Sequence, residues 1–162
     1  MGELRFPPSS RIYLDTAPII YSVERIPNYW PLMHTLWQTA AADSIQIFTS
    51  ELALLETLVM PIRQNSQTLI TTYETLLTKT DITLCPITTD ILRASAALRA
   101  TQNFKTPDAI HSATALAANC DYIVANDAGF RRLANIGVVI LSDLLRSWMN
   151  LFAAGFKPEP VR

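Results

Sequence analysis

The run Arg11-Ile12-Tyr13-Leu14-Asp15 is a short apolar segment that ends on an acidic residue. The same arrangement returns late in the chain, where Asp127 follows the apolar run Tyr122-Ile123-Val124-Ala125. Between them, Glu56 lies in a helix-like run after a second strand-like segment, and Asp108 opens a further helix. The ends of parallel strands in an open α/β sheet converge on one crevice, so we expect these four acids to lie together.

Strand-like segments alternate with segments of helical character along the whole chain. We place the strands at about 11–15, 45–49, 82–87, 121–125 and 137–141. Such alternation is typical of an α/β fold with a central parallel sheet and right-handed crossovers. Two helix ends carry specific predictions: Pro61 ends a helix that Ser50 caps, and Thr106 caps a helix with Pro107 at its first position.

Length and composition favour one domain. The chain has 162 residues, of which 49% are hydrophobic, and we divide it into an N-terminal extension at 1–10, a domain at 11–154 and a tail at 155–162. No signal peptide or membrane-length apolar run is visible, so we expect a soluble, cytoplasmic protein with no membrane partner. Cys85 and Cys120 are interpreted as buried thiols and not as ligands of a zinc site.

The charge pattern points to a local site. The net charge is −1, which gives no overall attraction to nucleic acid, so any affinity for phosphate must be local. Residues that could line an entrance for phosphate, although such charged residues more often form a solvated face, are Arg93, Arg99, Lys105, Arg131 and Arg132. Two carboxylates about 4 Å apart repel by roughly 4 kcal/mol at an effective dielectric near 20. A hard divalent cation relieves that repulsion, and we therefore expect Mg²⁺ or Mn²⁺ among the four acids.

Four segments, read in order, resemble the PIN-domain family over roughly residues 11 to 145. They are Tyr13-Leu14-Asp15-Thr16, Thr49-Ser50 with Glu56 six residues after Ser50, Thr106-Pro107-Asp108-Ala109-Ile110-His111-Ser112-Ala113-Thr114-Ala115, and Cys120-Asp121-Tyr122-Ile123-Val124-Ala125-Asn126-Asp127-Ala128-Gly129-Phe130. The resemblance implies a three-layer α/β/α domain, often dimeric, whose acidic pocket binds Mg²⁺ or Mn²⁺ and cuts RNA. Many bacterial members are VapC-like toxins of toxin–antitoxin pairs, so an antitoxin is an expected partner.

On the family pattern, the metal-binding and catalytic positions fall on Asp15, Glu56, Asp108 and Asp127. Residues that would orient a carboxylate or a water are Thr16, Ser50 and Asn126. The chain departs from the pattern at Ala125, where the family commonly has Thr or Ser, and this weakens the expected hold on Asp127. His111 lies one helical turn after Asp108 and could approach the rim of the pocket, but we interpret it as a partly buried, hydrogen-bonded residue.

Three functions remain open at this level. The leading interpretation is a metal-dependent ribonuclease, and the alternative is a non-catalytic PIN-like module that binds RNA or protein. A phosphohydrolase for small esters would use similar chemistry, but the chain has neither a glycine-rich phosphate loop nor a matching nucleophile motif. We also expect a homodimer, because two helices carry many large apolar side chains, among them Trp30, Trp37, Trp148, Met149 and Phe152.

Overall fold

The computed structural model describes residues 4–42 and 44–153, with side chains up to residue 147. The five strands are β1 (Ser10–Leu14), β2 (Ile45–Ser50), β3 (Thr83–Cys85), β4 (Tyr122–Ala125) and β5 (Gly137–Ile140). The seven α-helices are α1 (Thr16–Val23), α2 (Trp30–Ala41), α3 (Glu51–Arg63), α4 (Gln67–Thr78), α5 (Thr89–Gln102), α6 (Thr106–Ala117) and α7 (Leu141–Ala153). A short 3-10 helix, Ala128–Arg132, follows β4.

All strand pairs in the sheet are parallel, in the order β3-β2-β1-β4-β5. From β1 the chain adds β2 and then β3 on one side, and it then crosses to the other side of β1 to add β4 and β5. The switch point of the topology therefore lies between β1 and β4. Ligand-binding crevices of open α/β sheets form outside the carboxyl ends of strands at this point. The predicted parallel α/β sheet is confirmed.

Alternating side chains of β1 separate the core into two halves. Ile12 and Leu14 pack in a cluster with residues of α1 to α4 and the start of α7, whereas Tyr13 packs in a second cluster with residues of α6. A third, smaller cluster joins α5 to α6. Helices therefore cover both faces of the sheet, as the predicted three-layer α/β/α architecture requires.

The N-terminal segment before β1 contributes to this packing. Leu4 is buried in the first cluster, and the ring of Phe6 lies 5.0 Å from the ring of Tyr122. The predicted tail at 155–162 lies outside the described residues.

Two predicted helix boundaries are wrong by a few residues. Pro61 does not end α3, which continues to Arg63 with Pro61 buried in its last turn, where the proline removes one backbone hydrogen bond. The residue that caps α6 is Lys105, in an extended conformation, and Thr106 is already helical. Pro107 therefore occupies the second helical position, where its missing N–H is equally harmless.

Candidate active site

An open pocket of about 580 Å³ lies at the carboxyl ends of β1 and β4. Its lining brings together all four predicted acids, although they come from distant parts of the chain. The lining residues are Asp15, Thr16, Ala17, Ile20, Tyr21, Glu56, Asp108, His111, Asn126, Asp127 and Ala128.

One side of the pocket carries Asp15 and Glu56. Asp15 directly follows β1, and its backbone N–H donates to the Val124 carbonyl at 3.0 Å, which fixes it to the neighbouring strand. Its side chain makes no capping hydrogen bond to α1 and so remains available to the pocket. Glu56 projects from α3, where its Oε2 accepts hydrogen bonds from Thr16 Oγ1 and from His111 Nε2, the latter at 2.9 Å.

The other side carries Asp108 and Asp127. Asp108 lies in the first turn of α6, where the helix dipole favours a negative charge. Asp127 follows β4 and caps the 3-10 helix, because its Oδ1 accepts the Gly129 N–H at 2.7 Å. This bond holds one carboxylate oxygen of Asp127 on the protein backbone.

The pKa values of Asp15 and Asp108 are raised, whereas that of Glu56 is lowered. Burial raises the pKa of Asp15, and the nearby charges of Glu56 and Asp108 add to the rise. Burial also raises the pKa of Asp108, and repulsion from Asp127 adds to it. For Glu56, burial acts in the same direction but is outweighed by hydrogen bonds from His111 and Thr16, so its pKa is lowered.

His111 is the residue whose contacts with the site the sequence did not reveal. It is buried and hydrogen-bonded, as predicted, but its side chain, only 1% exposed, lies directly against the acids. Nε2 is 2.9 Å from Glu56 and 3.5 Å from Asp15, and Nδ1 is 2.7 Å from the Tyr13 hydroxyl. His111 lies three residues after Asp108, and this spacing puts both residues on one face of α6. That spacing is the feature of the sequence that indicated a position of His111 near the site.

The three predicted orienting residues have different surroundings. Thr16 contacts the carboxylate of Glu56 directly. Ser50 accepts the Leu52 N–H at 3.1 Å and so caps the helix that carries Glu56. Asn126 lines the pocket, and its amide is hydrogen-bonded to two tyrosine hydroxyls and a backbone N–H.

The amide of Asn126 links three elements. Its Nδ2 donates to the hydroxyls of Tyr21 and Tyr29, at 2.9 and 3.2 Å, and its Oδ1 accepts the Ser142 N–H at 2.9 Å. The two tyrosine rings are stacked with centroids 4.2 Å apart. Asn126 therefore holds an aromatic wall beside the acids.

Most arginines that the sequence offered as phosphate contacts are engaged elsewhere. Arg93 pairs with Asp90 at 3.0 Å, and Arg131 pairs with Asp143. Arg132 donates to backbone carbonyls of residues 102, 103 and 129. Lys105, in contrast, is exposed and close enough to Asp108 to lower that residue's pKa against the larger effect of burial.

The pocket fits a hard divalent cation in the type of its ligands. Carboxylate oxygens are what Mg²⁺ and Mn²⁺ prefer, and the mutual repulsion of Asp15, Asp108 and their neighbours is the field that a cation would neutralise. The acids line an open pocket and do not form a closed shell. Among residues 4–42 and 44–153, no group of three His, Cys, Asp or Glu side chains is arranged as a ready-made metal site.

The chain matches a known family model and resembles several solved structures. A family model described as PIN domain matches residues 12–136. Among solved structures, the VapBC complex of Rickettsia felis bound to promoter DNA has a similar chain, with 16% identity, a TM-score of 0.63 and coverage of 79% of this chain and 96% of that one. No curated protein sequence matches significantly.

Two further structures share the fold. A VapC toxin of Mycobacterium tuberculosis, described as cleaving the sarcin–ricin loop, has 16% identity and a TM-score of 0.64, with coverage of 78% and 98%. A VapBC structure from nontypeable Haemophilus influenzae has 16% identity and a TM-score of 0.61, with coverage of 82% and 98%. At these identities the likeness is one of fold.

Proposed function

This chain belongs to the PIN-domain family, and from this premise we propose that it is a metal-dependent endoribonuclease that acts as the toxin of a toxin–antitoxin pair. The observation that carries the proposal is the convergence of Asp15, Glu56, Asp108 and Asp127 on one pocket. Like charges that lie close together destabilise the fold, and a cation bound among the acids would offset that repulsion.

Mg²⁺ or Mn²⁺ is the proposed cofactor, and the four acids are its proposed ligands. An ion held by these residues would lower the pKa of a water molecule and would polarise the phosphate of the substrate. The protein's own contribution is positional: Thr16 and His111 fix Glu56, the start of α6 presents Asp108, and the backbone of the 3-10 helix holds Asp127. Lys105 is placed to attract a phosphate beside Asp108.

The proposed substrate is RNA. One structural relative is described as a toxin that cleaves the sarcin–ricin loop, which is consistent with a nuclease role for this fold. Tyr21, whose ring stacks on that of Tyr29, gives the lining of the pocket an aromatic surface. Aromatic surfaces of this kind suit unpaired bases.

An RNA-cleavage assay with Mg²⁺ or Mn²⁺ tests this function. We expect wild-type protein to cut RNA and Asp108→Asn to lose the activity. Asp90→Asn is the matched control, because Asp90 also lies in the first turn of a helix but is exposed and pairs with Arg93. Equal cleavage by all three proteins would contradict the proposal.

The metal site has a separate test. Isothermal titration calorimetry with Mn²⁺ should show binding to wild type and weaker binding to Asp15→Asn and Asp108→Asn, because each change removes one negative ligand. Equal Mn²⁺ affinity in wild type and both variants would rule out the four-acid site.

The alternative function is a module that binds RNA or protein without cutting. Ala125 favours it, because this buried position carries no hydroxyl close to Asp127. An RNA that is retained by the protein but remains intact with either metal, in conditions where Mn²⁺ binds, would support this reading.

We further propose an antitoxin partner, a cytoplasmic location and a homodimer. Two of the structural relatives are VapBC structures. Within the described part of the chain no helix is long and apolar enough to cross a membrane. Growth arrest on expression, relieved by co-expression of a small protein encoded beside this one, tests the partner.

The dimer proposal now rests on α3. The side chains of Trp148, Met149 and Phe152 lie outside the described ones, and Trp37 faces inward, where its Nε1 donates to Ser22 at 2.8 Å. Large apolar side chains are exposed on α3 instead, namely Leu55, Val59, Met60 and Ile62.

Three of these residues, Leu55, Val59 and Ile62, share one face of α3 by their spacing. Light scattering should give twice the monomer mass of 18.1 kDa, and Leu55→Glu should shift it to the monomer. Leu92→Glu, at another exposed apolar position, is the control. A wild-type monomer at tens of micromolar would contradict the dimer.

A further inference from the structure

A buried chain of hydrogen bonds lies behind the acidic pocket. Tyr13 and His111 are both almost fully buried, and their polar atoms meet at 2.7 Å between the tyrosine hydroxyl and Nδ1. The rings pack edge to face with centroids 5.8 Å apart. Tyr13 comes from β1 and His111 from α6, so this contact fixes the histidine ring to the sheet.

The surroundings of the ring settle which nitrogen carries a hydrogen. Nε2 faces only oxygen atoms at close range: Glu56 Oε2 at 2.9 Å, Thr16 Oγ1 at 3.2 Å and Asp15 Oδ1 at 3.5 Å. A carboxylate oxygen can only accept, so Nε2 is the donor. In a neutral imidazole with its hydrogen on Nε2, Nδ1 accepts the hydrogen of the Tyr13 hydroxyl, with the two atoms 2.7 Å apart.

The Thr16 hydroxyl fits the same arrangement. It donates its single hydrogen to Glu56, which leaves its lone pairs directed elsewhere, including toward Nε2. Glu56 thus receives two hydrogen bonds on one oxygen, Oε2, and its side chain is still 27% exposed at the pocket. One oxygen is held by the protein and the other is left for the pocket.

We propose that His111 is a positioning residue, whose Nε2–H, oriented by Tyr13, holds the Glu56 carboxylate beside Asp15 at the mouth of the pocket. This inference rests on the proposed nuclease function for its use, but its geometry does not depend on a bound metal. It requires a hydrogen on Nε2 and no change in the charge of the ring. His111 contacts the acid and is not assigned to the reacting atoms.

Replacing the donor should have a specific effect. A carboxylate that loses one of two partners in a partly buried position turns toward solvent, because unpaired buried charge is costly. Residues that orient metal ligands typically contribute about 10-fold to 100-fold to metal affinity. We therefore expect about a tenfold weaker affinity for Mn²⁺ when the N–H is removed.

Three variants separate the hydrogen bond from simple packing. His111→Gln keeps an N–H donor, His111→Leu keeps apolar volume without a donor, and Tyr13→Phe keeps the ring but removes the hydroxyl that orients the histidine. Thermal denaturation first confirms that each is folded. Mn²⁺ affinity is then measured by calorimetry, and kcat and KM for RNA cleavage are measured separately.

We expect His111→Leu to weaken Mn²⁺ binding and lower kcat with little change in KM, His111→Gln to restore most of both, and Tyr13→Phe to fall between them. A role in packing alone would make the glutamine variant at least as damaging as the leucine variant. That result, or wild-type Mn²⁺ affinity in folded His111→Leu, overturns the proposal.

A metal-free measurement keeps the inference testable if the variants do not fold or the nuclease function fails. Long-range proton–nitrogen NMR on wild type should show the hydrogen of His111 on Nε2, and Glu56→Gln should shift that resonance. A bare Nε2, or no response to Glu56→Gln, overturns the inference. Absence of RNA cleavage and Mn²⁺ binding in wild type, together with the expected NMR result, would refute only the proposed function.

Discussion

Two openings of similar size lie at opposite ends of the sheet. The acidic pocket, of about 580 Å³, is at the carboxyl ends of the strands, and a groove of about 530 Å³ is at the amino ends of β1, β2 and β3. They differ in how their charges are compensated. In the acidic pocket, repulsion among carboxylates contributes to the raised pKa values of Asp15 and Asp108.

In the amino-end groove, the positive charge of Arg11 has partners within the protein. The guanidinium of Arg11 donates to the Ala118 carbonyl at 2.8 and 3.1 Å and to Gln46 at 3.0 Å, and it lies 4.2 Å from the ring centre of Phe48. Cavity size therefore does not distinguish the two ends. What distinguishes a functional site here is charge that the protein itself leaves uncompensated.

The largest expected difference between the two ends is in activity. Asp108→Asn should reduce RNA cleavage by about 100-fold or more, in the range found when one group that stabilises charge is removed from an active site. Arg11→Met, at the other end, should leave cleavage per folded molecule within about twofold of wild type, a margin well below that loss. Single-turnover cleavage rates check both, and a large loss in Arg11→Met would remove the distinction.

The free energy of unfolding should show the opposite pattern, with the larger loss in Arg11→Met. Arg11→Met removes the hydrogen bonds to the Ala118 carbonyl and keeps the apolar stem, so it should lower the free energy of unfolding by about 1–3 kcal/mol. Urea denaturation measures the change. Equal stability of Arg11→Met and wild type would show that the hydrogen bonds of Arg11 do not stabilise the fold.

Within the acidic pocket, Asp127 should matter least for cleavage. One of its oxygens is held by the Gly129 N–H, and the neighbouring Ala125 offers no hydroxyl. We expect Asp15→Asn and Asp108→Asn to be the most damaging, Glu56→Gln nearly as much, and Asp127→Asn about tenfold milder, a difference of about 1.4 kcal/mol in the barrier.

The ranking can be refuted directly. If Asp127→Asn, shown to be folded, slows cleavage as much as Asp108→Asn, the ranking is wrong and Asp127 contributes to metal binding as directly as Asp108. Ala125→Thr provides the complementary test, and a higher cleavage rate in this variant would identify the missing hydroxyl as the cause of the weakness.

The smallest expected effect is on the stability of metal-free protein as pH changes. The pKa of Asp108 is raised on folding, so its favourable contribution is present at acidic pH and is lost as pH rises through the folded pKa. Metal-free Asp108→Asn should therefore be more stable than wild type at neutral pH, and the gap should narrow toward acidic pH. Denaturation with chelator present, at about pH 7 and about pH 5, measures this.

Glu56→Gln supplies the contrast for that measurement. The pKa of Glu56 is lowered on folding, so its contribution is present above the ordinary pKa of glutamate and is lost as pH falls through the folded pKa. The glutamine variant should be less stable than wild type at neutral pH. Identical pH profiles for the Asp108 and Glu56 variants would contradict the opposite pKa shifts of these two carboxyl groups.

The sequence was sufficient for the sheet and for the grouping of the acids. Asp15 and Asp127 each follow an apolar run, and parallel strands end at one edge, so their proximity follows from topology. The contacts of His111 were not predictable, because they depend on how α6 packs against β1 and α3. Spacing along a helix indicates which face a residue shares, but not which side chain of another element it meets.

The same limit explains Asn126. Its place after β4 predicted a residue near the acids, and it does line the pocket. Its hydrogen bonds, however, go to Tyr21, Tyr29 and Ser142, which are distant in sequence and meet it only in the folded chain. The prediction that α3 ends at Pro61 was wrong for a related reason. The sequence shows the tendency of proline to end a helix, but it does not show that Pro61 is buried in the folded chain.

The repulsion between the carboxylates also affects how this chain can evolve. Asp15 and Asp108 both have raised pKa values, so neutral replacements at these positions favour the folded state when no cation is bound. In a lineage released from selection for activity, mutation and selection for folding would both remove these acids early. A chain that retains Asp15 and Asp108 therefore does so at a cost to its own stability.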